Sequence, residues 1–163
     1  MESKIYQSRN NISKSKAALT SARTAANSIY CPILLQADLD TQSGILNAEE
    51  KDYKTGFSYF YEAFEGYASI ATTPNDSNAL LALKYMLLCK IMSKLAEDIS
   101  SVLSNKTALK YSGTSINAMR DVAAAYQDRS VHSFEAALNK YPKGNKRNNM
   151  FFNNFNFFRI KRR

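Results

Sequence analysis

Few residues in this sequence stand at spacings suited to chemistry. Ser13 and Lys16 have the S-x-x-K interval in which a lysine amine attends a serine nucleophile, but the segment around them is rich in both residue types and carries no companion motif. A chance match is expected. The single histidine, His132, lies beside an apolar stripe with no second ligand four residues on, so a helix-surface place is expected rather than metal binding or general-base work. The acidic pairs Glu49-Glu50 and Glu97-Asp98 fall near expected helix ends, where carboxylates are solvated or help to cap. G-x-G-x-x-G, G-x-x-x-x-G-K-[ST], G-x-S-x-G and H-E-x-x-H are all missing, and five scattered glycines cannot build a phosphate-cradling loop. With no nucleophile, base and orienting group together, the chain reads as non-enzymatic. No catalytic, cofactor-binding or metal residue is expected.

The most conspicuous string is FSYFYEAFEGY, Phe57 to Tyr67, with six aromatic rings in eleven residues. Such a run could stack bases or a cofactor, or it could line a core. At about 100° per residue, Tyr53, Phe57, Phe60, Tyr61, Phe64 and Tyr67 share an arc of roughly 120°, which leaves only Tyr59 outside. Gly56 and Ala63 border the arc, while Lys54, Ser58, Glu62 and Glu65 form a separate polar stripe. A stacking platform needs cations beside its rings to hold phosphates, and the charges here are mostly acidic. A core-facing helix is therefore expected.

The elements that would position this helix follow from periodicity and punctuation. Almost every segment has the helical period and none alternates as a strand would, so the fold class is all-α. A first helix is expected through KSKAALTSARTAANSIY, with Ala18, Ala22, Ala25 and Ile29 on one narrow inward face. Cys31-Pro32 closes it. A second helix over 32–50, with Leu35, Leu39 and Leu46 inward, pairs antiparallel with a third over 52–70. After the loop signal TTPNDS, the run from Ala79 to Leu95 is apolar nearly all round and reads as a central, covered helix; Lys84, Lys90 and Lys94 argue against a membrane span. Further helices are expected over 97–111, 115–127 and 130–141, the last with Ser130 as N-cap and Val131, Phe134, Leu138 and Tyr141 on one side. Consecutive helix pairs joined by short loops make an α-solenoid. The tetratricopeptide pattern fits in part: Gly44 takes the small position of the first helix, and Gly56, Phe60 and Ala63 take the small, aromatic and alanine positions of the second. Asp40 and Ser43 stand where that pattern has tryptophan and leucine. The expected repeat-packing residues are Gly44, Gly56, Phe57, Phe60, Tyr61, Ala63 and Phe64.

The formal charge of +8 is a property of one end. Residues 143–163 hold seven Lys/Arg and no acid, which leaves 15 basic and 14 acidic side chains before them. No nucleic-acid face is expected on the body. Cys31 and Cys89 lack C-x-x-C spacing and sit in apolar stretches, as buried reduced thiols do. With no apolar h-region at the N-terminus, a cytoplasmic and nuclear location is expected, and the sequons at Asn11, Asn75 and Asn105 read as chance.

The strings KAALTSARTAANSIYCP, LDTQSGILNAEEKDYKTGFSYFYEAFEGY and LKYMLLCKIM are similar to corresponding strings in the non-ATPase lid subunits of the 26S proteasome, of the PCI family. The resemblance runs from about Glu2 to Tyr141, weakening at ATTPNDSNALLA, where a small insertion is expected. It implies a right-handed solenoid of tetratricopeptide-like helix pairs. It further implies a non-catalytic scaffold contacting lid, ATPase-ring and core-particle subunits in support of ubiquitin-dependent degradation. The family's winged helix and C-terminal helix are expected to have no counterpart here, leaving a shortened helical region over 1–141 with apolar faces open to self-association. Residues 142–163 are expected to be a divergent, disordered basic-aromatic tail. Their Asn, Lys, Phe, Arg and Ile have codons rich in A and T, and a GGTAAT sequence at Gly144-Asn145 would supply a donor-like GTAA, so a translated intron is expected. The competing reading is a membrane-surface tail or a nuclear localisation signal through RIKRR. A continuous exon across codons 141–146 of the processed transcript would sink the first. Two other functions stay open: a free-standing helical-repeat adaptor for peptides, and a nucleic-acid or membrane-surface binder acting through the tail.

Overall fold

A computed structural model describes residues 2–71, 76–95, 98–111, 113–130, 132–133 and 136–137; every regular element among them is helical. Local chemistry sets the boundaries. The first helix, α1 (Glu2–Ser8), stops at Asn10, whose φ of 58° is a left-handed turn that asparagine tolerates. Asn11 then caps α2 (Ile12–Ser28) by accepting the Lys14 N–H. The separate α1 lies ahead of the expected first helix. Pro32 leads into α3 (Ile33–Glu49), Lys51 turns the chain at φ 70°, and the Asp52 carboxylate caps α4 (Tyr53–Ile70) at the Thr55 N–H. Asp76 caps α5 (Ser77–Met92) through the Asn78 and Ala79 N–H groups, and Lys94 ends that stretch at φ 62°. Where one helix was expected over 97–111, there are two short pieces, α6 (Ile99–Leu103) and α7 (Lys106–Leu109). Asn105 restarts the chain by capping Thr107. Then comes α8 (Thr114–Gln127), after which the Ser130 hydroxyl accepts the Ser133 N–H. Val131, Phe134, Leu138, Tyr141 and the tail over 142–163 lie outside the described residues.

Successive helices pack side by side, α1 on α2, α2 on α3, α3 on α4 and α4 on α5, with α8 and α6 against α5. The chain thus forms the stepwise stack of an α-solenoid. The α3–α4 pair is antiparallel and close: a Cβ placed on Gly44 would lie 2.8 Å from Phe60 Cε1, and one on Gly56 would lie 3.2 Å from the Gly44 carbonyl oxygen. α5 is buried continuously from Ala82 to Cys89, which matches its all-round apolar sequence. Even Lys84 is buried there, and burial pushes its ammonium pKa down.

Two expected faces are corrected. α2 turns Ser15, Leu19 and Ala26 inward, while Ala22, Ala25 and Ile29 are exposed and Ala18 is half-buried. The Ser15 hydroxyl donates to the Ser3 carbonyl at 2.7 Å, so a polar pair occupies a contact that an apolar search passes over. On α3, Leu46 is fully buried as expected, but Leu39 is half-buried and Leu35 is 49% exposed.

Candidate functional site

The aromatic arc of α4 divides into two tiers. Gly56, Phe60, Ala63, Phe64 and Tyr67 are buried; Phe57, Tyr61 and Tyr53 are half-buried at the rim. Phe60 stacks on Tyr85 of α5 with centroids 5.0 Å apart and planes 18° from parallel, and Phe64 meets Tyr111 edge-on at 5.6 Å. At the rim, Phe57 lies 6.4 Å from Tyr61 and carries Lys90 over its face at 4.7 Å. The rings join α3, α4 and α5. Tyr59, outside the arc, points the other way and lies under Arg23 of α2 at 4.9 Å.

That arginine organises a cluster which no periodicity revealed. Arg23 Nη2 donates to Asp40 Oδ1 and to Ser43 Oγ, the latter at 3.0 Å, and Gln36 Nε2 donates to the other Asp40 oxygen at 3.3 Å. Asp40 and Ser43, the two departures from the tetratricopeptide pattern, are buried because a cation from the neighbouring helix reaches them. Three helices had to be assembled before these residues could be recognised as partners; an arginine seventeen positions before an acid carries no local signal.

The residues singled out for chemistry have other partners. Lys16 is ion-paired with Glu50 and donates to Asn47 Oδ1 at 3.3 Å, while Ser13 is exposed on the same helix. Glu49 accepts from Gln7 Nε2 at 2.7 Å, Asp98 pairs with Lys90 at 2.9 Å, and His132 is exposed. Glu97 lies outside the described residues. Among the described residues no three His, Cys, Asp or Glu side chains come together as a metal site, and no helix is long and apolar enough to cross a membrane.

The cysteines differ from each other more than their sequence context suggests. Cys89 is buried against Gly56, and burial pushes its thiol up to about 12, whereas Cys31 is only half-buried beside Pro32. In the native protein at about pH 8, Cys31 is therefore expected to react with a thiol reagent while Cys89 stays protected until denaturant is added. Titration of two thiols at equal rates without denaturant would contradict that burial.

Two surfaces could meet a partner. One is a cavity of about 420 Å³ between α3 and α5, floored by Phe60 and Tyr67 of α4 and edged by Lys4 and Gln7 of α1. The Tyr67 hydroxyl donates to Asp38 Oδ1 at 2.6 Å within it, and burial, with that bond, pushes the phenol pKa up. The other is an apolar edge where α2 ends, α3 begins and α4 ends, with Ile29, Tyr30, Ile33, Leu34, Leu35 and Ile70 all exposed. Tyr30 alone is 89% exposed. Exposed apolar groups gathered in this way mark protein–protein contact more often than scattered ones do.

No family model matches the chain. It is similar to the 26S proteasome non-ATPase regulatory subunit 11 homolog of Arabidopsis thaliana, 52% identical over 141 residues, which is 86% of this chain and 33% of the relative. The 26S proteasome non-ATPase regulatory subunit 11 of Dictyostelium discoideum is 49% identical over 142 residues, again 86% of this chain and 33% of the relative. The 26S proteasome regulatory subunit RPN6 of Saccharomyces cerevisiae is 51% identical over 144 residues, 88% of this chain and 33% of the relative. The chain thus spans about a third of the length of the curated relatives it matches. Over 86% of its length the chain is thus 49 to 52% identical to curated proteins named 26S proteasome non-ATPase regulatory subunit 11 or its homolog.

Proposed function

We propose that this chain is a non-catalytic scaffold segment of the proteasome regulatory-particle lid, which presents helix faces to neighbouring subunits and so supports assembly and ubiquitin-dependent protein degradation. The observation that carries the reading is the joining of an aromatic-packed helix stack to an exposed apolar edge, Ile29 to Leu35 with Ile70, in a chain about half identical to named proteasome subunits. In this reading Gly44, Gly56, Phe57, Phe60, Tyr61, Ala63 and Phe64 act at a distance from any partner. They fix the spacing of one helix pair on the next, and the partners, other lid, ATPase-ring and core-particle subunits, meet what the stack presents. The helical region over 1–141 does this work in the cytoplasm and nucleus, and 142–163 is a separate tail.

The test is co-sedimentation of the tagged chain with proteasome particles in a lysate. Enrichment in the particle fractions is expected, with Leu34→Asp/Leu35→Asp at the apolar edge reducing it about tenfold or more. A chain that stays in the light fractions in every salt condition would refute the reading. The cavity between α3 and α5 favours a second reading, a peptide-binding adaptor. Peptide capture that Leu81→Asp abolishes, in the absence of particle association, would select it.

A further inference from the structure

We propose that the α1–α2 hairpin is a hinged segment, joined to the α3–α4–α5 block by a polar, salt-sensitive seam, and that it opens as a unit while the block stays folded. The two interfaces of α3 differ in kind. Toward α4 it packs glycine against ring, with Phe60 and Ala63 almost wholly buried. Toward α1 and α2 its contacts are largely ionic and amide: Glu50 and Asn47 with Lys16, Asp40 and Ser43 with Arg23, Gln42 and Glu49 with Gln7. Leu19 and Leu46, both buried, line a cavity of about 230 Å³ together with Lys16, Arg23, Asn47 and Tyr59. Of the two ion pairs, Lys16–Glu50 is partly exposed, individually weak and screened by salt, whereas Arg23–Asp40, with its carboxylate buried, is screened less, and buried aromatic packing is not screened at all.

The hairpin has its own internal bond, and the connection behind it is largely exposed. Ser3 and Ser15 are both buried and doubly joined, hydroxyl to hydroxyl at 2.9 Å and Ser15 hydroxyl to Ser3 carbonyl at 2.7 Å, so α1 and α2 travel together. In the segment from Ile29 to Pro32 only Cys31 is half-buried; Ile29 is 73% and Tyr30 89% exposed. A short connection of that kind can absorb the backbone rotation of a hinge. Opening would uncover Leu46 and Tyr59 on the block, which makes the seam a place where a neighbour in the stack can gain or lose a face.

Native-state hydrogen exchange on the full chain tests this. Amides of residues 12–28 are expected to exchange on the order of tenfold faster than those of residues 56–67, and in one group with residues 2–8. Raising salt from about 20 mM to about 500 mM should speed residues 2–28 by roughly threefold and leave residues 56–67 unchanged. Asp40→Asn should speed the hairpin further; because it strands Arg23 and could unfold the chain outright, Lys16→Met at the exposed end of the seam is the second variant. Exchange of both regions at one rate, or equal acceleration of residues 56–67 by salt or by Lys16→Met, overturns the proposal.

Discussion

Replacing Phe60 with alanine is expected to cost about 3–5 kcal/mol of folding stability, read as a large fall in the urea midpoint with little change in slope. Phe60 is 1% exposed, has Gly44 against one edge of its ring and Tyr85 stacked on its face at 5.0 Å. Truncation removes the ring from α3 and α5 together, and neither can collapse inward without losing its own partners. The cavity penalty therefore adds to the lost transfer energy. Phe57→Ala is the internal control: that ring is half-buried with Lys90 over it, so solvent can fill its place and the loss should be about 1 kcal/mol. Equal costs for the two, or a Phe60→Ala loss below about 1 kcal/mol, would mean that α4 does not bind the stack through its inner tier.

How much of this could be read from the sequence depended on what each interface is made of. α4 repeats large apolar residues every three to four positions, so its inward direction is written in one helix; Phe60, Phe64 and Tyr67 are buried there. α5 was equally plain, because an interior that surrounds a helix leaves it apolar on all sides. α2 misled for the opposite reason. Its alanines suggested a close-packed face, but the interface is made by Ser15, Lys16, Leu19 and Arg23, whose partners lie on other helices. A polar interface has no period to detect, since each contact depends on a complement that only folding brings near. The break at Asn105 has no local sequence signal, because a side-chain cap can restart a helix wherever an asparagine permits, without the proline or glycine that usually marks a stop. As for the candidate surface, Ile29 and Leu35 of the apolar edge read as inward-facing from the sequence, because exposure is decided by what lies across the gap. No residue of α2 or α3 records that.

Gly44→Ala is expected to destabilise the protein by about 1–3 kcal/mol, although alanine favours a helix over glycine by about 1 kcal/mol. The sign turns on geometry. An added Cβ would stand 2.8 to 2.9 Å from three carbons of the Phe60 ring, nearer than non-bonded carbons approach, and the stack on Tyr85 keeps the ring from swinging away. Either α3 moves off α4 or Phe60 leaves its rotamer. If this single contact sets the spacing of the pair, the penalty must vanish once the ring is gone: in a Phe60→Ala background, Gly44→Ala should be neutral or stabilising by up to about 1 kcal/mol. The coupling in that double-mutant cycle is then at least about 1 kcal/mol, well beyond what independent sites give. Additive losses would place the cost of Gly44→Ala elsewhere in α3. A strong coupling would show that one glycine and one ring determine how closely the first helix of the pair approaches the second, and with it the direction in which α3 carries Ile33, Leu34 and Leu35 toward a partner.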